Sequence, residues 1–136
     1  MAYWLLKTEP GTYCFDDLVR EKTTTWNGIS NAAALKHLRS AKVGDHVFVY
    51  HTGDEKQIVG TATVVKAAYP DPAENDDKLV VIDLRAGKPL KKPVTLAQIK
   101  ADRRLAGWDL VRIGRLSVVP TSPEQWNAVM ELAGVS

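Results

Sequence analysis

The sequence predicts an α+β domain in which five or six short, mostly antiparallel strands curl into a small barrel with two longer helices beside it. Short β-branched and aromatic runs alternate with helical patterns along the whole chain, without a repeat, a low-complexity tract or a linker. Gly60 stands inside one strand pattern, where it marks a bulge or a close backbone approach. Short strands with an interior glycine bend readily, and closure into a barrel removes exposed sheet edges.

The first strand, Tyr3 to Lys7, is aromatic or aliphatic through Leu6, the pattern of a strand covered on both faces. It stops in front of Pro10 and Gly11 and leaves the polar triplet Lys7, Thr8, Glu9 at its end. A short helix follows from about Phe15 to Glu21, with Phe15, Leu18 and Val19 on its buried face by the i, i+3, i+4 rule. "WNGIS" reads as a turn in which Asn27-Gly28 supplies positive φ, and Ser30 caps a helix "NAAALKHLRSA" that packs through Ala33, Leu35 and Leu38. "VGDHVFVYH", "QIVGTATVVKAAY" and "KLVVIDLRAG" are strands, separated by the loops "TGDEK" and "DPAENDD". "KKPVTLAQIKAD" reads as a short strand and a Thr95-capped helical turn, and "GRLSVVP" as the last strand. Ser122, Pro123 and Gln125 write the start of a closing helix that Gly134 stops.

The 136 residues make one domain spanning 1–136, large enough to bury a core without disulfides or metals. No apolar run is long enough to span a bilayer, and no basic segment followed by an apolar core opens the chain. Cys14 is the single cysteine, which forbids an intramolecular disulfide and a thiolate zinc cluster. A cytoplasmic monomer without metal, cofactor or membrane partner is expected. The net charge of +2 permits a nucleic-acid partner without predicting one. Lys88, Lys91, Lys92, Arg112 and Arg115 crowd the second half, either as a basic face or as ordinary solvated surface.

Hydrolytic chemistry finds little support, since no serine elbow accompanies the three histidines, and no phosphate loop or dinucleotide fingerprint is present. His37 reads as a solvent-facing helix residue and His46 as a surface strand residue. His51 differs: it ends an apolar strand beside Tyr50, the same kind of position as Lys7 to Glu9. Trp4 and Trp126 sit in core patterns, whereas Trp108 is ambiguous. Trp26, in a turn flanked by Thr25 and Asn27, is either a plug over the core or a stacking surface for a flat heterocycle. A stacked base also needs fixed polar groups along its edge. Asn31, Thr8 and Glu9 could supply them; equally, Asn31 could only cap its helix and Glu9 could only pair with a nearby cation.

"WLLKTEP" (4–10), "WNGISNAAA" (26–34), "VGDHVFVYH" (43–51), "IVGTATVVKAAYPDP" (58–72) and "RIGRLSVVP" (112–120), in this order over nearly the whole chain, resemble the EVE domain family. Two positions depart from its pattern: Ser30 stands where the family commonly has arginine, and Thr52 where it has serine. The resemblance implies a PUA-like fold, a curled mixed sheet with surrounding helices, related to the YTH and SRA readers of methylated bases. It implies a binding module rather than an enzyme, recognising a modified base such as methylated or hydroxymethylated cytosine, or methylated adenine, in DNA or RNA. Its pocket would comprise Lys7, Thr8, Glu9, Trp26, Asn31, Tyr50 and His51, with Arg115 and Ser117 at the mouth. Against this stand a nucleobase-processing enzyme or nucleotide sensor using His51 near Glu9 as acid and base, and a protein-interaction module.

Overall fold

The computed structural model describes residues 1–134. Its strands are β1 (Tyr3–Thr8), β2 (Thr23–Trp26), β3 (His46–His51), β4 (Gln57–Pro70), β5 (Val80–Thr95) and β6 (Val118–Thr121). The helices are α1 (Phe15–Glu21), α2 (Ala32–Ser40), α3 (Leu96–Ala101), α4 (Asp109–Arg112) and α5 (Pro123–Leu132). One six-stranded sheet runs in the order β2-β5-β4-β3-β1-β6. β1 and β3 are parallel; every other pairing is antiparallel. None of the described helices is long and apolar enough to cross a membrane.

The expected barrel does not close. β2 and β6 lie at opposite ends of the sheet order and do not pair with each other, and α2 packs against β4, β5 and β6. Two of the strands are also long rather than short. β4 and β5 run 14 and 16 residues and bend through register shifts around Gly60 and between Val64 and Tyr69. These irregularities curl the sheet.

β1 is an interior strand, as its composition demands, with β3 on one side and β6 on the other, and Leu5 and Leu6 essentially without solvent contact. Trp108 also belongs to the core, its indole N–H donating to the Pro120 carbonyl at 3.1 Å. Trp126 is only partly buried and stacks on Phe48, ring centroids 3.7 Å apart. On α1, Phe15 and Leu18 are buried but Val19 is 45% exposed, because the seven-residue helix presents a narrower stripe than the spacing rule allows. α2 buries Ala34 with Leu35 and Leu38, and leaves Ala33 exposed. Its cap is Asn31 rather than Ser30: the Asn31 Oδ1 accepts from the Ala34 N–H at 3.1 Å. Ser122 caps α5 as expected, in a reciprocal pair with Gln125.

Gly60 marks a close approach. A Cβ there would lie 2.3 Å from Cζ of Phe15, a buried ring with little room to yield. Gly60→Ala is therefore expected to cost about 1–3 kcal/mol, as overpacked cores do. A denaturant midpoint unchanged from wild type would show that the Phe15 ring moves freely.

Candidate functional site

The polar end of β1 is built into a tight turn. Pro10 ends the ladder, and the Glu9 carbonyl accepts from the Thr12 and Tyr13 N–H groups at 3.0 and 2.9 Å. Thr8 Oγ1 donates to the Tyr13 carbonyl at 2.7 Å, which pins the returning chain against the strand end. The Tyr13 ring thereby meets the Trp26 indole edge to face, with centroids 6.0 Å apart and planes at 88°.

Trp26 does not sit in a turn, as its neighbours suggested. It is the last residue of β2, paired opposite Ile82 of β5, and the turn begins one residue later, with Gly28 at φ +81°. The β-branched run Thr23-Thr24-Thr25 ahead of it is the local signal for this strand.

A cavity of about 590 Å³ opens between these two segments. Lys7, Thr8 and Glu9 line it from β1, and Thr12 and Tyr13 from the turn. Glu21 closes it from the end of α1; Thr24, Thr25 and Trp26 line it from β2, and Asn27 to Ile29 from the following turn. Ser117 completes the wall, its carbonyl accepting from the Lys7 N–H at 3.0 Å. Lys7, Thr8, Glu9, Trp26 and Ser117 are thus brought together around one cavity. Tyr13, Glu21, Thr24 and Thr25 were missed; Tyr13 had no periodic signal, and its place depends on the turn that the Glu9 carbonyl and the Thr8 hydroxyl close.

The other named residues lie elsewhere. Asn31 caps α2 and is absent from the cavity lining. Arg115 is exposed beside Gly114 and also lies outside the lining. Tyr50 faces a second cavity of about 190 Å³, which it shares with Lys7. His51 is 7% exposed and acts as a strut: its Nε2 accepts from the Phe15 N–H at 3.0 Å, and its Nδ1 lies 2.9 Å from Glu55 Oε1. A ring whose Nε2 accepts carries its proton on Nδ1, so Nδ1 donates to the carboxylate. That bond holds the Glu55 carboxyl below its ordinary range. Glu9 is engaged elsewhere, accepting from the Thr52 hydroxyl at 3.2 Å, so the threonine keeps the function of a hydroxyl at this position.

Charges in the cavity are few and defined. The Lys7 Nζ donates to the Gly114 carbonyl at 2.8 Å, and half-burial lowers its pKa. Tyr13 donates to Glu21 Oε1 at 2.7 Å; burial and this carboxylate, against a bond from Thr24, push its hydroxyl up to about 12. The phenol is therefore a neutral donor at any physiological pH. Two carboxylates and one ammonium give an interior that disfavours anions but suits a flat, neutral ring with donors and acceptors on its edge. Among the described residues, no group of three or more His, Cys, Asp or Glu could hold a metal ion.

The EVE domain family model matches residues 2–132. Human thymocyte nuclear protein 1 is 28% identical over 165 residues, covering 96% of this chain and 73% of that protein. The NMR structure of Rpa0253 from Rhodopseudomonas palustris is 42% identical, with a TM-score of 0.93 over 98% of this chain and 94% of that one. The crystal structure of human THYN1 in complex with DNA containing 5-methylcytosine is 28% identical, with a TM-score of 0.91 over 100% of this chain and 99% of that one.

Proposed function

This chain belongs to the EVE domain family, and from that premise we propose that it is a DNA-binding module that takes a modified base, 5-methylcytosine, into the cavity between β1 and β2. The observation that carries this reading is the likeness, over the full chain, to human THYN1, which was crystallised with DNA containing 5-methylcytosine.

The cavity supports it physically. At about 590 Å³ it is large enough for a nucleobase and its sugar, within the range of roughly 300–1,000 Å³ usual for ligand clefts. Trp26 and Tyr13 provide the aromatic wall, and Thr8, Ser117 and the Tyr13–Glu21 pair provide donors and acceptors for a base edge. A methyl group that finds apolar contact there contributes about 0.8 kcal/mol, a preference of about fourfold over the unmodified base. The role is one of binding rather than catalysis: both His51 ring nitrogens are occupied by structural partners, so no free base stands beside Glu9.

Tryptophan-fluorescence titration with single- and double-stranded DNA and RNA, each carrying one cytosine or one 5-methylcytosine, tests the reading. Tighter binding of the methylated DNA is expected, with a slope of log affinity against log salt of only about −1 to −3, because the cavity rather than a broad basic face supplies the binding. Equal affinities for the two bases would sink the base-reading role, and a preference for RNA would change the polymer. A steep slope would move the site to the lysine-rich stretch of β5.

A further inference from the structure

If the cavity interior disfavours anions, the phosphates flanking an inserted base must be met outside it. Among the described residues, the two non-glycine residues with positive φ are both lysines: Lys22 at +70° and Lys56 at +46°. Glycine would adopt these conformations at little cost, whereas a residue with a Cβ is strained in them. Both backbones are held in place by the surrounding fold. The Lys22 carbonyl accepts from the Ala86 N–H of β5, and the Lys56 carbonyl from the Leu96 N–H of α3, each at 2.8 Å. Strained lysines where glycine would fit more easily suggest that the side chain itself is used.

Their positions agree with that. Lys22 follows Glu21, which closes one end of the cavity, and sits one residue before β2. Lys56 lines the second cavity, and Lys7 is the wall common to both cavities. Lys22 is thus one residue along the chain from the cavity wall at Glu21, and Lys56 lines the neighbouring cavity that shares Lys7 with it. Both are exposed, and neither takes part in an ion pair among the described residues.

We propose that Lys22 and Lys56 form a two-point phosphate clamp that holds the DNA backbone on either side of the inserted base. The proposal rests on the base-reading role of the main cavity. The clamp positions the strand and carries no base information, as phosphate contacts generally do.

Charge and strain can be separated by substitution. Lys22→Gly and Lys56→Gly each remove one charge and relieve the backbone, so the melting temperature should hold or rise while DNA binding weakens. Lys22→Gln and Lys56→Gln remove the charge and keep the strain. Anisotropy titrations across a salt series, with a 5-methylcytosine duplex and its unmodified twin, provide the readout. All four variants should bind both duplexes about three- to tenfold more weakly and flatten the salt slope by about 1, with the ratio between the two duplexes unchanged. Wild-type affinity and slope in the variants would overturn the clamp, as would a loss confined to the glycine variants. If wild type lacks the methyl preference while the variants still flatten the slope, the base reading falls and the clamp stands. Wild type that binds neither duplex overturns both.

Discussion

Replacing Trp26 by alanine is expected to weaken binding of the methylated DNA ten- to a hundredfold, which corresponds to about 1–3 kcal/mol for the loss of one stacked base. The same change should also destabilise the fold. Trp26 is only 6% exposed, ends β2 and packs against the Tyr13 ring, so truncation leaves a cavity at a cost of about 3–5 kcal/mol. Both effects come from one side chain because the indole is at once a core residue and a cavity wall. A binding loss in the alanine variant therefore counts only if circular dichroism shows it folded at the assay temperature. Trp26→Phe separates the two effects. It keeps an aromatic face and most of the volume, so stability should fall by about 1 kcal/mol, in the range of modest core changes, while affinity drops a few-fold. Full affinity in a folded alanine variant would remove Trp26 from the binding surface.

Asp45→Ala is expected to cost about 3–4 kcal/mol without touching the cavity, since donors left unpaired lose about 1–3 kcal/mol each where water cannot replace the acceptor. Asp45 is 3% exposed and accepts three bonds: from the Ala2 N–H at 3.0 Å, the Trp4 indole N–H at 2.9 Å and the Lys42 N–H at 2.8 Å. Burial alone would raise its pKa, but these donors outweigh it and hold the carboxyl below its ordinary value. A depressed carboxyl stabilises the fold above its unfolded pKa of about 3.9 and loses that contribution as the pH falls through the lower folded value. The gap between wild type and Asp45→Ala in urea midpoints should therefore be full at neutral pH and shrink below about pH 4. A gap that persists unchanged to low pH would mean that shape rather than the charge of Asp45 ties the start of β1 to the turn before β3. DNA affinity, measured where both proteins are folded, should not change.

What the sequence determined was whatever depends on neighbouring residues. The apolar run at Trp4 to Leu6 reads as a doubly covered strand, and it becomes an interior strand of the sheet, between β3 and β6. Pro10 and Gly11 end that strand and leave Lys7, Thr8 and Glu9 at its tip, where they line the cavity. Ser122 with Gln125, and Thr95 with Gln98, cap helices through bonds three residues apart. Gly60 announced the close approach that Phe15 makes. The family was legible too, since it is written in ordered motifs.

Tertiary structure decided the rest. β2 exists as a strand because β5, nearly 60 residues later, offers it an edge, with Trp26 opposite Ile82; four residues alone make no stable strand. The sheet is open, its end strands β2 and β6 unpaired with each other, and α2 packs across β4, β5 and β6, a contact that no local pattern encodes. His51 and Asn31 carry the residue types of a binding site, yet the fold spends them on Phe15 and Ala34. Tyr13 and Glu21, plain in sequence, become the polar wall because the Glu9 turn and the end of α1 bring them together. A cavity is the space left between elements, so its walls follow from how those elements pair and pack, whereas local spacing specifies only the elements themselves.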